Sequence, residues 1–139
     1  MKLRFLIKGF YLVTLLLLII KSNGQTSKET PKGDSLFYGV WKGTSICQVK
    51  KSPCHDEIVV YYISKSTTNN IIEINASKIV NGIEEGMGEI QFQYDAKTEQ
   101  IISTSQSNGV WKFKRKKNTL EGTLYHKDEL YRIINLTKQ

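Results

Sequence analysis

The feature of this sequence that most constrains its fold is the repetition of short segments rich in β-branched and aromatic residues, separated by Gly, Asn, Asp, Lys and Pro. Such segments are typical of β-strands, and the breaks between them are typical of tight turns. Asn81-Gly82 is the clearest break, since this dipeptide favours a hairpin turn with positive φ at both central residues. The pattern predicts eight strands, at residues 38–47, 57–64, 70–80, 88–94, 100–106, 110–116, 119–126 and 129–137.

The predicted strands alternate between an apolar and a polar face, most clearly at Ile90, Phe92 and Tyr94. Short turns make consecutive strands antiparallel neighbours, and a twisted eight-stranded sheet can close on itself. The sequence therefore predicts an all-β domain built as an eight-stranded antiparallel up-and-down barrel. Residues 83–85 could form a single helical turn, and Gly86-Met87-Gly88 predicts a β-bulge.

The N-terminal segment has the organisation of a secretory signal peptide. Basic residues precede an uncharged apolar run, Gly9 to Ile20, and Ser22 and Gly24 favour cleavage just before Gln25. The run is shorter than the roughly 20 residues that a membrane-spanning helix needs, and no second apolar stretch follows it. We expect a signal peptide at 1–24, a flexible polar arm at 25–35 and a barrel domain at 36–139, exported to the periplasm or secreted. An uncleaved anchor is the alternative.

The net charge depends on that segment. Four of the twenty basic residues lie before position 25 and all thirteen acidic residues lie after it, so residues 25–139 carry a net charge of +3. A charge of this size favours solubility and does not indicate a nucleic-acid partner. These residues suffice for one domain with one core, and we expect a monomer without a further membrane segment.

Cys47 and Cys54 are the two cysteines of the chain. In an exported protein of this size, an isolated pair is typical of a disulfide rather than of a metal site. The residues between them form a predicted loop. We therefore expect a bridge that joins the ends of the first two strands.

Two short stretches resemble the lipocalins and the wider calycin superfamily: Gly39-Val40-Trp41 in the first strand and Tyr131-Arg132 in the last. The resemblance implies that Arg132 packs over the ring of Trp41 at the closed end of the barrel, a cation–π contact. The length is similar to that of minimal bacterial lipocalin-like barrels and of small periplasmic metalloprotease inhibitors. Residues 41–47 and 52–57 also resemble a signature of small exported bacterial proteins, which implies no activity.

His55 and Glu57 are the candidates for catalysis, because neighbours two apart on an extended segment share a face. Metal binding by Cys47, Cys54 and His55 would need reduced thiols and a further ligand, and the spacing matches no common metal motif. The chain also lacks a phosphate-binding glycine loop and a nucleophile elbow. We expect no catalytic residue, no metal and no cofactor.

Residues 111–117 interleave aromatic and basic side chains. Alternation places Trp111 and Phe113 inside the barrel and Lys112 and Lys114 in solvent. Export argues against nucleic acid as a partner, and an anionic lipid or polysaccharide surface is the alternative to a simple solvated face.

Three functional hypotheses follow. The first is a non-enzymatic lipocalin-like barrel that binds a small apolar ligand, in which the inward residues Phe92, Tyr94, Trp111 and Phe113 either line a ligand cavity or fill a packed core. The second is an interaction or inhibitor module whose N-terminal arm, residues 25–35, inserts into a protein partner. The third is a hydrolase that uses His55 and Glu57.

Overall fold

The computed structural model describes residues 33–139. Within this range the chain forms a short 3₁₀ helix, Gly33–Phe37, followed by eight strands. They are β1 (Gly39–Cys47), β2 (Glu57–Lys65), β3 (Ile72–Val80), β4 (Ile83–Asp95), β5 (Gln100–Ser103), β6 (Val110–Lys116), β7 (Thr119–His126) and β8 (Glu129–Lys138). The predicted signal peptide, and residues 25–32 of the predicted arm, lie outside the described residues. The last three residues of that arm belong to the 3₁₀ helix.

Each strand pairs antiparallel with the next, and β8 pairs with β1, so that the sheet closes into an up-and-down barrel. Short turns produce this order. Asn81 and Gly82 have φ values of 52° and 81° between β3 and β4, and Lys127 and Asp128 have 49° and 64° between β7 and β8. Positive φ at both central residues is the geometry of the tight hairpin turn. The predicted fold class is confirmed.

The two ends of the barrel differ. At the end where β1 begins, which we call the closed end, the indole N–H of Trp41 donates a hydrogen bond to the carbonyl oxygen of Phe37 (2.7 Å). Phe37 is buried and its ring lies 6.0 Å from that of Tyr94. The 3₁₀ helix therefore covers this end. The opposite, open end carries the β1–β2 and β5–β6 loops and the β3–β4 and β7–β8 turns.

Alternate residues of the strands point inward and form one core. Phe113 lies at its centre, with ring centroids 5.9 Å from Tyr61, 5.7 Å from Phe92 and 6.4 Å from Trp111. Burying one such large side chain stabilises the fold by about 1.5–3 kcal/mol. The other members of the core are Phe37, Trp41, Val59, Ile63, Ile72, Ile74, Ala76, Ile101, Leu120, Ile134 and Leu136.

The third and fourth strands correct one prediction and confirm another. Residues 83–85 form the start of β4 rather than a helical turn, because the two-residue turn at Asn81-Gly82 places them directly opposite the end of β3. The predicted bulge is present at Met87. Gly86 pairs with Ser77 and Gly88 with Ala76, which leaves Met87 as the extra residue.

β5 is three residues shorter than predicted and ends at Ser103. The Ser103 hydroxyl accepts a hydrogen bond from the backbone N–H of Trp111 (3.1 Å). The chain then turns, with the N–H of Gly109 donating to the carbonyl oxygen of Gln106 (3.0 Å). These bonds replace the sheet hydrogen bonds that a longer β5 would make.

The predicted packing of Arg132 over Trp41 is wrong. In the register between β1 and β8, Trp41 lies opposite Lys138, whereas Arg132 lies opposite Cys47 at the open end. Six residues of strand, about 20 Å, separate the two positions. The cation over the Trp41 ring is Lys138, whose Nζ lies 5.3 Å from the ring centroid.

Candidate functional site

The open end of the barrel contains a cavity of about 480 Å³. One wall is the β4 segment 87–91, and the other is formed by the β5–β6 loop and Trp111. Tyr61 and Ala76 line its inner side. The remaining lining residues are Thr104, Ser105, Ser107, Asn108 and Gly109.

The cavity exists because β4 and β5 differ in length. β5 pairs only with residues 92–95 of β4, and Thr104 extends this ladder by one backbone hydrogen bond to Gln91 (2.8 Å). Towards the open end, no residue of β5 continues beside β4. The loop 104–109 crosses this gap at a distance from β4 and leaves the space that forms the cavity.

The apolar part of the lining is held in place by the core. The Trp111 ring stacks on the Phe113 ring, with 14° between their planes, and Phe113 is fully buried. Ile90 packs partly against the same core. A ligand would therefore meet an indole face whose orientation is already set, which lowers the ordering cost of binding.

Tyr61 is the buried polar residue of the cavity. Burial raises the pKa of its hydroxyl far above the ordinary value, Arg132 acts to lower that pKa, and Glu57 acts to raise it. Its hydroxyl makes no hydrogen bond to another residue in the part of the chain that the structure describes. Tyr61 therefore stays neutral at physiological pH and can donate a hydrogen bond to a molecule in the cavity.

Arg132 is the centre of a polar cluster on the inward face of the strands at the open end, outside the cavity lining. Its Nη1 lies 3.1 Å from Oε2 of Glu57 and donates to the Ser45 hydroxyl (2.9 Å) and to the Ser45 carbonyl oxygen (3.3 Å). Nη2 donates to the carbonyl oxygen of His55 (3.3 Å). The cluster ties β8 to β1, β2 and the β1–β2 loop.

The candidate catalytic pair is brought together at the open end, where Glu57 lies on the inward face of β2 but outside the cavity lining. Nε2 of His55 lies 3.8 Å from Oε1 of Glu57, and 71% of the His55 side chain is exposed. The other carboxylate oxygen of Glu57 contacts Arg132. Neither His55 nor Glu57 lines the cavity.

Cys47 and Cys54 form the predicted disulfide, which closes the β1–β2 loop. The loop is further fixed by Asp56, whose carboxylate accepts a hydrogen bond from the backbone N–H of Cys47 (2.9 Å). Across residues 33–139, no group of His, Cys, Asp and Glu side chains could hold a metal ion.

The four residues predicted to be inward lie in different surroundings. Phe92 and Phe113 are fully buried in the core, and Tyr94 lies against Phe37 at the closed end. Trp111 lines the cavity. Gly39, predicted as part of the lipocalin-like signature, lies at the start of β1, where an added Cβ would be 3.0 Å from Lys138 Cε.

Sequence reasoning missed the polar rim of the cavity at residues 104–108. The signal is present, because Thr104-Ser105-Gln106-Ser107-Asn108 is typical of a loop, yet the strand predicted at 100–106 includes the first three of these residues. Lys112 and Lys114 are exposed on the outer wall, as alternation along β6 predicted.

The chain matches no protein-family model, and no curated protein matches it in sequence. The described residues include no helix that is long and apolar enough to cross a membrane.

Proposed function

We propose that this protein is an exported, non-enzymatic, lipocalin-like barrel that binds a small and largely apolar ligand at its open end. The observation that carries this proposal is the cavity of about 480 Å³ between Trp111, Tyr61 and the β4 wall. Ligand-binding pockets commonly occupy about 300–1,000 Å³ and combine an apolar lining with a few polar groups.

The residues of the cavity suggest the chemistry of the ligand. The Trp111 face and Ile90 favour an aromatic ring or a short aliphatic chain, and the Tyr61 hydroxyl favours one hydrogen-bond acceptor on it. Phe92 and Phe113 fill the barrel below. The ligand therefore occupies the mouth of the barrel and not its full depth, which limits its size.

Two further features support the proposal. The disulfide between Cys47 and Cys54 is typical of oxidising compartments outside the cytosol. His55 and Glu57, whose side chains could act in acid–base catalysis, do not line the cavity. Among the residues that the structure describes, Glu89 is the one charged side chain in the lining, so a bound molecule would not contact the His55–Glu57 pair.

The binding proposal is tested with N-phenyl-1-naphthylamine, a neutral apolar dye whose fluorescence rises when it leaves water. We expect the wild-type protein to raise the dye's fluorescence and Trp111→Leu to weaken its affinity by about tenfold, as removal of a central aromatic contact commonly does. Tyr62→Leu, which removes an exposed ring from the outer wall, is the matched control and should bind like the wild type. Equal affinity of all three proteins would place the dye elsewhere and overturn the assignment of the cavity.

The non-enzymatic part of the proposal has a separate test, the hydrolysis of p-nitrophenyl acetate by wild type and His55→Ala. We expect both proteins to show the same background rate. The alternative is that the wild type hydrolyses the ester above background and that His55→Ala abolishes this activity without changing thermal stability. That result would establish the hydrolase.

A further inference from the structure

The fourth strand has a long edge that pairs with nothing in residues 33–139. β4 spans Ile83–Asp95, yet β5 pairs only with its last four residues, and Thr104 adds one bond to Gln91. Towards the open end, β4 pairs only with β3. In an antiparallel ladder, alternate residues direct their N–H and C=O groups to opposite sides. Residues 83–90, which we call the free edge of β4, therefore direct half of these groups away from β3.

The free edge is accessible along its length. Residues 83–89 are all exposed, and the side chains of Ile83 and Met87 are 68% and 42% exposed. Eight strand residues extend over about 25 Å, the length of an ordinary strand. An exposed edge of this length is a template for another strand.

Two glycines leave space above the face of the sheet at this edge. At Gly86 and at Gly88, no atom lies within 4 Å of the position that a Cβ would occupy. Glycine within a strand often marks a place where another backbone comes close. Side chains of an incoming strand would therefore find room on the face of the sheet next to Gly86 and Gly88.

The charge of the free edge selects its partner. Glu84, Glu85 and Glu89 lie along it, and none of them forms an ion pair with a basic side chain of the described residues. Antiparallel pairing with a second copy would place these glutamates near one another, and like charges across a ladder are destabilising. A basic strand would instead gain from each glutamate.

We propose that the free edge of β4 binds an extended, basic segment of a partner protein, which adds to the barrel as a further strand. Backbone hydrogen bonds to residues 83–90 supply the main attraction, and Glu84, Glu85 and Glu89 favour Lys or Arg in the segment. Ile83 and Met87 contact its apolar side chains. This interaction goes beyond ligand binding, because residues 83–86 of the edge lie outside the cavity lining, although residues 87–90 belong to both.

The first test uses the synthetic peptide acetyl-Lys-Val-Lys-Val-Lys-Val-Lys-amide and the full chain, by isothermal titration and hydrogen exchange. We expect saturable binding and slower exchange of the amides in residues 83–90. The matched control is the same peptide methylated at every backbone nitrogen, which keeps its charge but cannot donate a backbone hydrogen bond. Equal binding of both peptides would show charge attraction only and would overturn the proposal.

The second test changes the protein. The triple variant Glu84→Gln, Glu85→Gln, Glu89→Gln should bind the unmethylated peptide about tenfold more weakly and with less dependence on salt. The control triple Glu99→Gln, Glu121→Gln, Glu129→Gln removes the same charge elsewhere on the surface and should bind like the wild type. Equal weakening in the two variants would show that only the net charge matters and would contradict the assignment of the edge.

Discussion

Arg132 on β8 and Glu57 on β2 form an ion pair across β1, with 3.1 Å between Nη1 and Oε2. The same guanidinium donates to the hydroxyl of Ser45 on β1 (2.9 Å), so that one side chain links three neighbouring strands. Only 12% of the Arg132 side chain and 15% of the Glu57 side chain are exposed. Removal of one partner would therefore leave a charge that water reaches poorly.

The first prediction concerns this ion pair. We expect Arg132→Met to lower the free energy of unfolding by about 3 kcal/mol, because an uncompensated and mostly buried carboxylate remains. Lys116→Met is the matched control, since Lys116 pairs with Glu121 where the two side chains are 61% and 48% exposed. That substitution should cost less than about 1 kcal/mol. Urea unfolding of the variants measures both values.

A double-mutant cycle with Glu57→Gln separates the ion pair from the packing of Arg132. We expect the double variant to be more stable than the sum of the single losses predicts, because the two changes remove the same interaction. Strict additivity would show that the two side chains act independently and would contradict the prediction.

The second prediction concerns two glycines at which the barrel wall leaves no room for a side chain. A Cβ at Gly122 would lie 2.2 Å from the Phe113 ring, and a Cβ at Gly43 would lie 2.0 Å from the backbone oxygen of Asn135. We expect Gly122→Ala to cost about 1–3 kcal/mol, as overpacking of a core does, and Gly43→Ala to cost more. The reason is that the Phe113 side chain can change its rotamer to make room, whereas the backbone of Asn135 is held by the β1–β8 pairing.

Thermal unfolding of the two variants and of Gly86→Ala checks this order. A Cβ at Gly86 would have no atom within 4 Å, so this variant should unfold within a few degrees of the wild type. If Gly43→Ala also unfolded at the wild-type temperature, the close contact between β1 and β8 would be wrong.

Local signals in the sequence predicted the number of strands and most turns, although they missed the first five residues of β4 and extended β5 by three. The register between the first and last strands was not accessible to them. Asn81-Gly82 specifies its own turn and thereby the pairing of β3 with β4. No short turn joins β8 to β1. A shift of the register by two residues keeps every side chain on the same face, so alternation alone cannot decide whether Arg132 or Lys138 lies beside Trp41.

The candidate site was predictable only in part, because it also depends on contacts between residues that are distant in the sequence. The inward direction of Trp111 follows from its position in an alternating strand. Its place beside a cavity depends on the end of β5 at Ser103, which is fixed by a hydrogen bond from the backbone of Trp111 itself. No pattern within residues 100–106 contains that contact.

The third prediction concerns the disulfide. We expect the double variant Cys47→Ala, Cys54→Ala to lose about 2–3 kcal/mol of stability in urea, since the bridge closes a short loop in the unfolded chain. The loop residues 48–56 do not line the cavity, so the affinity for N-phenyl-1-naphthylamine should stay unchanged under native conditions. The bridge is verified first by mass spectrometry of the wild type. Its mass should stay unchanged after alkylation without reductant and should increase when alkylation follows reduction.

The fourth prediction concerns alkaline pH. Burial and a hydrogen bond to Asp34 raise the pKa of Tyr38 from 10.0 to about 12, and burial raises the pKa of Tyr61 further. Between pH 10 and pH 12, the Tyr38 hydroxyl loses its proton in the unfolded chain but keeps it in the folded chain. The stability that both tyrosines contribute is therefore complete below pH 10 and is lost as the pH rises towards 12 and beyond.

We expect the free energy of unfolding of the wild type to decline from pH 10 to pH 12, and Tyr38→Phe to reduce that decline, because phenylalanine has no proton to lose in either state. Urea unfolding at each pH gives the slopes, and comparison of variants cancels the titration of lysines. Equal slopes for Tyr38→Phe and the wild type would show that the Tyr38 hydroxyl titrates alike in the folded and unfolded chains.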